Sequence, residues 1–81
     1  MIEVAESSLR KDRHIKAALY AREGVPEYWI VALSERVIEV YREPNQGTYS
    51  QVTRHALGDI VRPQAFPDVK VRVADVIPAA G

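Results

Sequence analysis

Apolar and polar positions along the chain change period several times, and each change predicts an element. Ile2, Val4 and Ala5 form a short apolar run interrupted by Glu3, which reads as the end of a strand. Glu6, Ser7 and Ser8 make a polar connection into a helix predicted from about Leu9 to Glu23. Within it Ile15, Ala18, Leu19 and the aliphatic stem of Arg22 recur at helical spacing, so they are expected to form the buried stripe. Asp12 falls in the first turn, where the macrodipole favours a negative charge. Gly24 and Pro26 supply a helix stop.

Glu27 to Leu33 (EYWIVAL) is aromatic, β-branched and almost continuously apolar, a pattern that suits a central strand covered on both faces. Ser34 and Glu35 are expected to turn the chain into a second strand, Arg36 to Arg42. Pro44 to Gly47 is a further turn, leading to a more polar, alternating stretch from Thr48 to Thr53 that suits an edge strand. Gly58-Asp59 marks another turn. Val69, Val71 and Val73 then alternate with Asp68, Lys70 and Arg72 as a short strand, and Ala74 to Ile77 reads as one helical turn. The order predicts an α+β (α/β-like) architecture, with one main helix packed on a mixed or antiparallel sheet in a single domain over residues 1–81. One helix cannot cover both faces of a strand as apolar as Glu27 to Leu33. An upstream segment or a partner chain is therefore expected on the second face.

Composition narrows the function classes. The 81 residues permit one domain, and an apolar fraction of 47% argues for folding rather than disorder. Eleven basic and eleven acidic residues cancel, so any attraction to nucleic acid must come from local clustering. Weak self-repulsion also favours association, and a homodimer is expected. With no cysteine, a disulfide framework and a thiolate zinc site are both disfavoured. No apolar run approaches the roughly 18 residues that span a membrane, and Met1 is followed by Ile2 and Glu3 rather than a signal sequence. A soluble, cytoplasmic protein without membrane partners is the expectation.

Glu3 is the first candidate for chemistry. A carboxylate in an apolar strand end is costly to bury unless it is paired or holds a metal; the competing reading is a solvated strand end. Lys16 lies about 100° around the helix from Ile15, on the border of the apolar stripe. Its stem can carry the ammonium toward the strand end that bears Glu3, while the simpler reading is an i,i+4 surface pair with Asp12. Two acids and a lysine at a strand rim are what metal-assisted phosphodiester hydrolysis requires: carboxylates hold Mg²⁺, and a lysine stabilises charge on the phosphorane. Glu6 is a weaker second acid. Arg10, Lys11 and Arg13 cluster at the start of the helix and fit phosphates, although a solvated basic face is the commoner meaning of such a cluster. His14 and His55 have no metal-ligand spacing, and Tyr28 and Trp29 read as core rather than as a base-stacking platform.

The stretch IEVAESSLRKDRHIKAALYAREGVPEYWIVAL, Ile2 to Leu33, joins a strand ending in E-V to a D-x-x-x-K-x-x-x-Y helix (Asp12, Lys16, Tyr20) and then to GVPEYWIV. With LGDIV at Leu57 to Val61, Phe66-Pro67-Asp68 and the closing VRVADVI, it resembles the Uma-two family of restriction-endonuclease-like proteins, a branch of the PD-(D/E)XK nuclease-like superfamily. The resemblance covers essentially the whole chain. It implies a restriction-endonuclease-like core fragment, the C-terminal part of such a domain, with Mg²⁺-dependent cleavage of DNA as its activity. By resemblance Glu3 is a metal ligand, the backbone carbonyl of Val4 is a second, and Lys16 takes the lysine's role, because Ala5 stands where the superfamily usually has that lysine. Arg10, Lys11 and Arg13 would then contact DNA. The family's upstream helix and P-D strand, with its metal-binding Asp, do not occur in these 81 residues, and Ala32 replaces an acid that often follows W-I-V. A non-catalytic module acting in dimerisation or protein interaction is the alternative.

Overall fold

A computed structural model describes residues 2–5 and 10–77, with only the backbone for residues 5 and 10–14. Strand β1 (Ile2–Ala5) leads to helix α1 (Arg10–Arg22), followed by β2 (Glu27–Ala32), β3 (Val37–Asn45) and β4 (Thr48–Ala56). Two short strands, β5 (Ile60–Val61) and β6 (Val71–Arg72), and the single-turn helix α2 (Val73–Val76) complete the chain. The α+β expectation holds. The main sheet has the order β1-β2-β3-β4, with β1 parallel to β2 and the rest an antiparallel meander.

Helix α1 stops as its sequence dictates. Gly24 adopts φ +79°, its N–H bonds to the Ala21 carbonyl at 3.1 Å, and Val25 N–H reaches the Tyr20 carbonyl at 3.0 Å. This paired closure satisfies carbonyls that the helix leaves open, and the left-handed residue costs least when it has no Cβ. The β3–β4 hairpin turns on Gln46 and Gly47, both with positive φ, between the register partners Asn45 and Thr48. A two-residue turn of that kind matches the twist of the strands it joins.

Strand alternation divides the core in two. On one face Tyr28, Ile30, Tyr41 and Tyr49 pack with Ala17 and Ala21 of α1, and Tyr20 joins them. On the other, Trp29, Val31, Ile38 and Val40 pack with Val61, Val73 and Ile77. Two expectations need correcting here. The buried face of α1 is not the Ile15–Leu19 stripe: Ile15 is 59% exposed and Leu19 46%. The small residues Ala17 and Ala21, one turn apart, meet the sheet instead, and the Tyr20 ring fills the gap beside them. The second face of β2, where an upstream segment or a partner chain was expected, is buried by the chain itself. The chain's own C-terminal elements return across it, with β5 pairing β6 and Val73 N–H bonding to the Asp59 carbonyl at 3.1 Å. The predicted strand around Val69 to Val73 shrinks to Val71–Arg72, because α2 begins at Val73.

Candidate active site

Register places Glu3 beside Ile30, so its side chain points to the α1 side of the sheet while Ile2 and Val4 point to the other. Helix α1 lies mainly over β4 and β3, and less over β2. Side chains reaching sideways from the helix therefore make the junction with β1. Lys16 and Tyr20, four residues apart, share the helix face that looks toward Glu3.

Three donors converge on the Glu3 carboxylate. The Tyr20 hydroxyl donates to Oε1 at 2.6 Å, the Tyr28 hydroxyl to Oε2 at 3.1 Å, and the Lys16 ammonium to Oε2 at 3.3 Å. The side chain of Glu3 is 26% exposed and that of Lys16 56%, so the carboxylate is sheltered while the ammonium stays open to solvent. The Tyr20 hydroxyl is the main influence holding the Glu3 carboxyl below its ordinary range; burial opposes it, and Tyr28 and Lys16 reinforce it. Glu3 is thus ionised at neutral pH. The Tyr28 phenol is pushed up, first by burial and then by its bond to Glu3, while Tyr20 is raised mainly by that same bond.

Behind this carboxylate lies an aromatic cluster containing all four tyrosines of the chain. Tyr28 sits 4.8 Å from Tyr20, 5.6 Å from Tyr41 and 6.5 Å from Tyr49, measured between ring centroids. Tyr41 donates to Glu39 at 3.0 Å, and Glu39 pairs with Arg54 at 3.5 Å. Glu3, Ile30, Glu39 and Arg54 form one row across the sheet. Ile30 stands between the two acidic positions, so their Cα atoms lie two strand spacings apart, about 10 Å.

The structure brings Glu3 and Lys16 together, and Glu3 is hydrogen-bonded rather than frayed in water. Arg10, Lys11 and Arg13 lie in the first turn of α1, but their side chains, like that of His14, are outside the described residues, as is Glu6. His55 bonds to Thr53 across 2.9 Å on β4, away from Glu3. Sequence reasoning missed Tyr20 and Tyr28 as partners of Glu3. The i,i+4 spacing of Lys16 and Tyr20 was the available signal for one of them; nothing local distinguishes Tyr28 from an ordinary core residue.

A divalent ion needs more than this chain's described residues provide. No group of three His, Cys, Asp or Glu side chains converges among them, and three donors already occupy three of the roughly four lone-pair sites of Glu3. These residues do not form a complete cage for Mg²⁺.

A parallel β1–α1–β2 unit that feeds an antiparallel meander, with a carboxylate and a lysine at the rim of the parallel strand, is consistent with a restriction-endonuclease-like core. The model of the Uma2 family, described as "Putative restriction endonuclease", matches residues 1–74, and the chain belongs to that family. No curated protein and no solved structure matches the chain. Among the described residues no helix is long and apolar enough to cross a membrane.

Proposed function

We propose that this chain contributes Glu3 and Lys16 to a nuclease-like site that hydrolyses phosphodiester bonds in DNA. The observation that carries this reading is the 3.3 Å contact between an ionised, sheltered carboxylate and an exposed ammonium. Lys16 is the group an incoming phosphate meets first, and its charge stabilises the extra negative charge of the pentavalent transition state. Glu3 accepts hydrogen bonds only, so it orients an attacking water through its remaining lone pair. Held below its ordinary range, it is a weak base and acts by orientation rather than by strong proton abstraction. Arg10, Lys11 and Arg13 are assigned to phosphate backbone contacts by their position at the start of α1.

Family membership supports Mg²⁺ as the cofactor. Glu3, through the lone pair that Lys16 releases on turning to phosphate, and the Val4 carbonyl would supply only part of its ligands, and the others would come from outside the described residues, DNA phosphate oxygens among them. The test is incubation of the chain with supercoiled plasmid and Mg²⁺ or Mn²⁺. Nicked or linear product that disappears with a chelator supports the reading; intact plasmid at every metal concentration contradicts it.

A second reading, a non-catalytic module that dimerises, is favoured by one observation. The edge strand β1 carries Ile2 and Val4, each 64% exposed, and such an edge invites pairing with another strand. Sedimentation analysis separates the two: a stable dimer that does not cleave DNA supports this second reading, and a monomer removes it.

A further inference from the structure

The carboxylate of Glu3 turns about a soft, roughly two-fold terminal torsion, so a single donor would leave its plane free to swing. Here the two oxygens are addressed by tyrosines from two different elements, Tyr20 of α1 and Tyr28 of β2. The tyrosines differ from Lys16 in how firmly their own positions are set. The Tyr28 ring is 1% exposed and packed against the other three tyrosines. A phenol has two side-chain torsions, and neighbouring rings fix both; a solvated lysine has four and loses much entropy if it is held still. The shortest of the three bonds to Glu3 is also a tyrosine's, at 2.6 Å.

We infer that Tyr20 and Tyr28 are positioning residues, one for each oxygen of Glu3, which fix the plane of its carboxylate and leave the Lys16 ammonium free to engage an anion. This rests on the reading of Glu3 and Lys16 as the reacting pair. It adds a division of labour that the carboxylate–lysine contact alone does not contain. The tyrosines orient Glu3 before substrate arrives, and the lysine answers to the substrate. By count, one of the carboxylate's roughly four lone-pair sites is left without a donor among the described residues.

Tyr20→Phe, Tyr28→Phe and the double variant remove the hydroxyls and keep the rings. Tyr41→Phe is the control, because its hydroxyl serves Glu39 instead. The first readout is the side-chain carboxyl ¹³C resonance of Glu3 at neutral pH without metal, which does not depend on activity. Each single variant should shift or broaden it, the double variant most, and Tyr41→Phe should leave it in place. The second is plasmid cleavage, where the double variant should lose about 10- to 100-fold in kcat with KM nearly unchanged, the scale expected when a reacting group is misplaced. An unmoved resonance in the folded single variants overturns the inference, as does a double variant that cleaves at the wild-type kcat. A resonance that moves as expected in a wild-type background that never cleaves DNA upholds the positioning and overturns the nuclease reading instead.

Discussion

The Tyr20 hydroxyl lies 2.6 Å from Oε1 of Glu3 and ties the main helix to the edge strand of the sheet. Stability should therefore depend on the carboxylate far more than on the lysine beside it. Glu3→Ala leaves the buried Tyr28 hydroxyl without its acceptor, and should cost about 2–3 kcal/mol, the scale of hydrogen bonds to a charged group. Lys16→Met removes a largely solvated ion pair and should cost below about 1 kcal/mol. Urea unfolding of the two variants measures both, and equal losses would mean that the ion pair, not the tyrosines, holds the junction.

The same junction should weaken at both ends of the pH scale. A carboxyl lowered in the folded chain contributes stability that is complete above its ordinary value of 4.5 and is lost as pH falls below that value. Tyr20 and Tyr28 are raised above their ordinary 10.0, so their contribution is complete below pH 10.0 and is lost as pH climbs past it. Protection factors of the β1 amides, taken relative to the intrinsic exchange rate at each pH, should fall in both directions. In Glu3→Gln the acid-side change should vanish; its persistence would place the titrating group elsewhere.

Apolar residues of similar size should differ sharply according to which surface they occupy. Ile77 is 1% exposed against the Trp29 face, and Ile77→Ala should cost about 2–4 kcal/mol. Ile15→Ala, on the open side of α1, should stay within about 0.5 kcal/mol of wild type. Thermal or urea unfolding decides this, and a large loss at Ile15 would show that the helix packs through that stripe after all.

The C-terminal cover is fastened through Glu27, whose carboxylate accepts from Arg42 and from the Gln64 N–H at 3.0 Å. Beside it Pro63, Ala65 and Phe66 enclose a groove of about 480 Å³ against Ile2 and Trp29. Glu27→Gln should loosen this segment and admit water to Trp29, the chain's one tryptophan. Its fluorescence should shift to longer wavelength. An unchanged spectrum would mean that apolar packing alone secures the cover.

The strands were legible because their residues are: EYWIV and VIEVY are β-branched and aromatic, and the turns between them carry Ser, Asn and Gly. The helix end was legible from Gly24 and Pro26. The inward face of α1 was not, because close packing selected Ala17 and Ala21 for their small size, and an apolar count ranks them below Ile15 and Leu19. The cover over Trp29 was equally hidden. Val61, Val73 and Ile77 come from segments too short to show a period, and Trp29, which they pack against, lies far earlier in the chain. For the site, residue chemistry singled out Glu3 and resemblance singled out Lys16, but neither predicts that two core-like tyrosines complete the carboxylate's hydrogen bonds.

Single-turnover cleavage of a DNA duplex with Mg²⁺, comparing wild type with Glu3→Gln and Lys16→Met, tests the proposed nuclease site most directly. Both substitutions remove charge while keeping size, and each variant's fold can be checked by its unfolding midpoint. A wild-type chain that cleaves, with each variant slower by about 100-fold or more, is the predicted result, in line with the loss of a group that stabilises transition-state charge. Cleavage at equal rates in all three proteins, or none in the wild type, would contradict the assignment of Glu3 and Lys16 as a phosphodiester-cleaving pair.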